Sequence, residues 1–387
     1  MKQTIRPFGG SVPRNPHFQM LRCLAASEVV FAHGMWAFGV VKGNTGWFSR
    51  ASFLLGDTGV LSFFVLSGFL MTRQFSNGFG SWRNAVPFLF RRAVRIVPMY
   101  WIATLLEYRA ARYANIPHLK QQTLLALVFL PDIYNKPMYY PLLQQGWTLN
   151  FEVFFYILFA FCLLIPRRTG LPLLATILLL LAWLNFTHAV GGSGPLATIA
   201  NYYASVMLVP FVGGIGLALA EERILRKSTF RFPVAPALFI LIPVLVLPWV
   251  TWPFWNGWYA LLRCGIAIGI VWLCVLAKPT AEGAFQRIST SLGDASYSTY
   301  LFHSFWLGWL AEWSAGWLSG RNGPGTGLAL CAAGVVFASL LGLLVHLVVE
   351  RPLIRKLQRL PAGPAWFRSR LRRPNLGEEP VSESLLR

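Results

Sequence analysis

Arg22, Glu28 and His33 lie in one apolar run, HFQMLRCLAASEVVFAHGMWAF. An ionisable group is costly inside a long apolar helix, so it marks function or an internal pair. Arg22 and His33 stand 11 positions apart. At about 100° per residue that is three turns plus about 20°, so they share one face, about 16 Å apart along the axis. One face thus carries a cation at one end and an imidazole further in. Imidazole is the side chain suited to move protons near neutral pH. The plain alternative is a histidine bonded to a neighbouring helix.

Four more stretches carry chemistry. In GVLSFFVLSGFLMTR, Ser67-Gly68 lets a backbone or a thin ligand arm come close, and ordinary helix packing explains it as well. Arg73 follows. In FLFRRAVRIVPMYW, Arg91, Arg92 and Arg95 fall three and four apart and form a basic helical face. Such a face grips phosphates by charge-assisted bonds, and a plain topology signal reads the same way. In WTLNFEVFFYILF, Glu152 lies one to two turns from the helix start, at a depth expected to match His33, whose ring a carboxylate would orient. In LGDASYSTYLFHSFW, Ser296, Tyr300 and His303 follow i, i+4, i+7 spacing, which suits either a site or interhelical hydrogen bonds. Glu350 before Arg351-Pro352 reads as a helix terminator, and Glu312, His188 and His346 read as structural. No P-loop, GxSxG, HExxH or CxxC motif is present. The five cysteines fall in apolar runs and read as small hydrophobes.

The elements that must position these groups are membrane helices. Of 387 residues, 55% are apolar and 12% charged, and the mean hydropathy is +0.53. One soluble core cannot hide that much apolar surface, which excludes a soluble enzyme and a disordered chain. An all-α polytopic bundle of about ten transmembrane helices is expected, near 18–41, 53–72, 88–108, 147–165, 172–189, 203–220, 235–252, 258–277, 296–318 and 327–349. The piece at 124–131 is too short to cross. With the N-terminus inside, 25 Lys and Arg fall inside and seven outside, so both termini are expected in the cytoplasm. The net charge of +20 is spread between apolar runs, so nucleic acid is not an expected partner. The division expected is a cytoplasmic segment 1–17, a membrane domain 18–350 and a basic tail 351–387 lying on anionic lipid.

The motifs LRCLAASEVVFAH, GVLSFFVLSGFLMTR, FLFRRAVRIVPMYW, GWTLNFEVFFYILF, LGDASYSTYLFH and VVERPL occur in this order over residues 15–355. In this the chain resembles the integral-membrane acyltransferase 3 family of bacterial O-acyltransferases. The resemblance implies a ten-helix bundle in the bacterial cytoplasmic (inner) membrane. It implies an acyl-CoA donor, usually acetyl-CoA, and an acceptor hydroxyl on a glycan or lipid-linked saccharide. No metal is implied. The family's Arg-x10-His motif falls on Arg22 and His33, and its basic motif on Arg92 and Arg95. Its Ser-Gly-Phe-Leu element falls on Ser67 to Leu70, and its Trp-Thr-Leu…Glu element on Trp147 to Leu149 and Glu152. The chain departs after Phe155-Tyr156, where Ala160 stands and a proline comes only at Pro166. A stand-alone form without an appended hydrolase-like domain is expected.

The mechanism expected has Arg73, Arg92 and Arg95 hold the CoA phosphates while the pantetheine arm passes Arg22, Ser67 and Gly68. His33, oriented by Glu152, then acts as general base or as an acyl relay. The alternative is a proton-coupled transporter of a sugar or organic acid, which the buried Arg, His and Glu would serve equally.

Overall fold

The structure is a computed structural model that describes residues 15–41, 46–187, 192, 194–225, 257–277, 283–315 and 324–359. These residues form helices, with no strand among them. In chain order they are α1 (Pro16–Ala37), α2 (Trp47–Gln74), α3 (Trp82–Ala111), α4 (Leu119–Leu127), α5 (Gly146–Leu163), α6 (Arg167–Thr187) and α7 (Pro195–Tyr203). There follow α8 (Val209–Ala220), α9 (Gly257–Leu276), α10 (Ala284–Asp294), α11 (Ser296–Ala315), α12 (Pro324–Val345) and α13 (Arg351–Arg359).

Nine of the ten expected spans fall on these helices, and 235–252 lies outside the described residues. Among the described residues, five helical runs can cross a membrane by length and apolarity alone: α2, α5, α6, α9 and the run Gly325–Gln358. A sixth is the pair Pro195–Tyr203 and Val206–Arg223, bent by 47°. The helices α1, α3 and α11 have 22, 30 and 20 residues, long enough to cross, but carry the polar groups described above. The short piece near 124–131 is α4, which packs on α3.

At the centre stand α1 and α2. The start of α1 is fixed by Asn15, whose side chain accepts a 3.0 Å bond from the His17 amide, with Pro16 in the first turn. Along α1 the apolar positions Leu21, Ala25, Val29 and Val30 are buried against α2, α9, α11 and α12. Gly68 and Gly214 let α2 and α8 cross closely. A Cβ on Gly68 would overlap the Phe211 carbonyl, and one on Gly214 the Val65 carbonyl. Gly293 of α10 meets the Gln19 carbonyl of α1 in the same way.

The helix does not end at Glu350, as Arg351-Pro352 suggested. It passes through a π turn, His346–Glu350, and continues as α13. Proline is tolerated there because it sits in the first turn of α13. Residues 351–359 form a helix packed on α3. All five cysteines are free, and four of them are buried.

Candidate functional site

An open cavity of about 770 Å³ lies where the first turns of α1, the ends of α2, α10 and α12, the basic face of α3 and α13 meet. Six arginines line it: Arg22, Arg91, Arg92, Arg95, Arg351 and Arg355. Its carboxylates are Asp294 and Glu350. Glu350 is committed elsewhere, since its Oε2 accepts from Ser298 at 2.6 Å and faces His346 Nδ1 at 2.8 Å. The cavity is therefore strongly positive, and its volume lies in the range of small-molecule sites.

Arg22, Arg92 and Arg95 also line a second, narrow cavity of about 60 Å³, deeper in the bundle. Its other walls include Phe63, Ser67, Leu70, Glu152, Tyr156 and Tyr297. The two spaces share these three arginines and lie one above the other. Arg92 is held in place by Gln74 Oε1 at 3.2 Å and by the rings of Phe88 and Tyr156, at 5.9 and 5.4 Å. Arg95 has no hydrogen bond or ion pair among the described residues, so its guanidinium is available to an anion.

Glu152 sits in the narrow cavity. Its Oε1 accepts from Ser67 Oγ at 3.0 Å and from the Tyr156 hydroxyl one turn away. This corrects the expected pairing of Glu152 with His33: no hydrogen bond joins them among the described residues. Matching depth along two helices does not make them face each other, and the long Arg22 side chain reaches up to the level of Glu152 instead.

His33 lies against α11. Its Nδ1 is 2.8 Å from the Val29 carbonyl, and its ring centroid is 4.8 Å from that of His303. At the lower end of the same face, Arg22 Nε donates to Ser296 Oγ at 3.3 Å. Thus α1 and α11 meet at two levels, Arg22 with Ser296 and His33 with His303. Spacings of 11 and seven residues each return to nearly the same helix face. Tyr300 lies between these levels, with its hydroxyl 2.8 Å from Thr148 Oγ1 and its ring 6.3 Å from Phe63. Phe63 and Tyr300 therefore stand between the narrow cavity and the histidines.

Two expected site residues stand apart. Arg73 pairs with Glu221 at 3.3 Å and does not line either cavity. Gly68 faces α8 rather than open space. Arg91 and His303 were noted on their helix faces without a role, and three residues of the site went unselected in the sequence: Arg351 and Arg355 in the cavity wall, and Tyr156 beside Glu152. Tyr156 follows Glu152 by four positions, and Arg355 follows Arg351 by four, so each pair had a helical signal. Asp57 on α2 was also missed. It pairs with Arg263 of α9 inside the bundle. No group of three His, Cys, Asp or Glu able to hold a metal is found among the described residues.

A family model described as an acyltransferase domain matches residues 15–343, and the chain belongs to this family, acyltransferase 3. With its long apolar helices it is a multi-pass membrane acyltransferase, which decides between the enzyme and transporter readings. Among curated proteins, the exopolysaccharide production protein ExoZ of Rhizobium meliloti (strain 1021) is 33% identical over 327 residues, covering 81% of this chain and 95% of ExoZ. No solved structure matches the chain.

Proposed function

We propose that the protein takes an acyl group, most simply acetyl, from acyl-CoA on the cytoplasmic side and transfers it to a hydroxyl of an exported polysaccharide. The observation that carries this is the six-arginine cavity leading to a narrow polar space below a membrane-buried histidine. CoA carries its phosphates at one end and its thioester at the other, so a wide basic mouth and a thin inner passage fit its shape and charge. The name of ExoZ supports a polysaccharide as acceptor.

In this reading the bundle has ten spans in the bacterial inner membrane, with both termini in the cytoplasm. Residues 1–17 precede the membrane domain 18–350, and 351–387 follow it. Arg22, Arg91, Arg92 and Arg95 hold the donor's phosphates, with Arg351 and Arg355 on the opposite wall. Ser67, Glu152 and Tyr156 line the passage of the pantetheine arm. Glu152 also balances part of the arginine charge when no donor is present.

His33 takes the acceptor's proton at Nε2. The hydroxyl oxygen attacks the thioester carbonyl, a C–O bond forms, and the C–S bond breaks with its electron pair going to sulfur. The proton then passes to the CoA thiolate. In the relay form, His33 Nε2 attacks the thioester first and hands the acyl group to the acceptor. Trapping labelled acyl-enzyme from acyl-CoA without acceptor distinguishes the two. His33→Ala abolishes transfer in both, and full activity of that variant rejects both.

A further inference from the structure

His303 is fully buried, at 0% exposure, and its Nε2 has no hydrogen-bond partner among the described residues. Its Nδ1 lies 2.6 Å from the Tyr300 carbonyl. A carbonyl oxygen only accepts, so Nδ1 carries the hydrogen and Nε2 presents a lone pair. His33 is fixed in the same way by the Val29 carbonyl. Two imidazoles in ring contact thus each spend their one hydrogen on their own helix backbone. Neither has a hydrogen to offer the other, and the pair has room for one added proton.

A base that accepts a proton in apolar surroundings needs a group to share the resulting charge. In a serine-protease triad a carboxylate does this. Here the carboxylate expected for the task, Glu152, is bonded to Ser67 and Tyr156. No carboxylate hydrogen bonds to either imidazole among the described residues. On the same two helices, Val30 of α1 and Leu307 of α11 are buried in one apolar cluster with Ala338 of α12. The group in contact with His33 is His303.

We infer that His303 is the proton-sharing partner of His33 in the transfer. The inference rests on the reading of His33 as the base or relay. When His33 Nε2 takes the acceptor's proton, the Nε2 lone pair of His303 shares it until it leaves on the CoA thiolate. In the relay form His33 Nε2 is occupied by the acyl group, and His303 takes the acceptor's proton through the bound hydroxyl. In that step the new C–O bond forms as the acyl C–N bond breaks. The proton count is the same in both forms: one leaves the hydroxyl and one arrives on sulfur.

The test uses the full-length purified protein with acyl-CoA and polysaccharide acceptor. His303→Asn keeps an amide donor for the Tyr300 carbonyl and removes Nε2. It is expected to lower kcat at least about 100-fold, the scale of lost acid–base catalysis, while CoA binds within about twofold of wild type. In His303→Ala, free imidazole is expected to restore activity at least about tenfold, as added base does in place of a deleted one. Pyrazole has the same shape and far lower basicity, and is expected to restore none. Retained kcat in His303→Asn, lost CoA binding in that variant, no rescue by imidazole, or equal rescue by pyrazole each overturns the inference. An inactive His33→Ala beside an active His303→Asn rejects this inference alone, whereas an active His33→Ala rejects the reading of His33 beneath it.

Discussion

Replacing Arg92 by alanine tests the donor site most sharply, because Arg92 is the cation best held between the two cavities. Its guanidinium is steered by Gln74 and lies over Phe88 and Tyr156, so binding a phosphate costs it little further ordering. A hydrogen bond to a charged group contributes about 1.5–3 kcal/mol. At about 1.4 kcal/mol per factor of ten, the loss corresponds to a rise of about 10- to 150-fold in the Kd for CoA. The upper half of that range is expected, since Arg92 is preorganised. The assay is equilibrium binding of labelled CoA to the purified protein in nanodiscs. Arg73→Ala is the matched control. Arg73 already pairs with Glu221, outside both cavities, and its side chain is 34% exposed. Its loss is expected to leave CoA binding within about twofold and to cost at most about 1 kcal/mol of stability. Unchanged CoA binding in Arg92→Ala, or an equal loss in Arg73→Ala, refutes the placement of the phosphates.

The same binding assay reads Arg351→Gln/Arg355→Gln, which is expected to weaken CoA about three- to thirtyfold, as two exposed cations do when removed. A lipid-only role for α13 predicts no change. Glu152→Gln keeps an acceptor for Ser67 and Tyr156 and removes a negative charge beside three arginines, so CoA is expected to bind as well or up to about tenfold more tightly. Weaker binding contradicts its position in the passage. Gly68→Ala drives a methyl into the Phe211 carbonyl and is expected to cost about 1–3 kcal/mol, read as a lower thermal midpoint in detergent. A stable Gly68→Ala that fails to bind CoA returns Gly68 to the donor site. Ser298→Ala removes a partner of the buried Glu350 carboxylate and is expected to destabilise by about 1–3 kcal/mol by the same measurement.

Arg22 and His33 could be placed on one face from spacing alone, because helical phase is a local property. What they face is not local. The contact of His33 with His303 joins positions 270 apart, and the i, i+4, i+7 pattern of Ser296, Tyr300 and His303 named a face without naming its neighbour. Glu152 was assigned by depth, and depth gives one coordinate of three. The basic face of Arg91, Arg92 and Arg95 was legible, but its opposite wall was not. That wall depends on the chain continuing helically through the π turn at Glu350, where Pro352 suggested an end. Asp57 escaped notice as a single acid in a long apolar run. The lone Arg263 in another span was the complementary signal, since buried charges in a bundle seek each other.

The most direct test of the account follows a labelled acyl group from acyl-CoA to a polysaccharide acceptor with purified wild-type protein and His33→Ala in parallel. Label is expected to reach a polysaccharide hydroxyl with wild type and to stay on CoA with His33→Ala. Equal transfer by both proteins, or label that never leaves CoA with wild type, contradicts it.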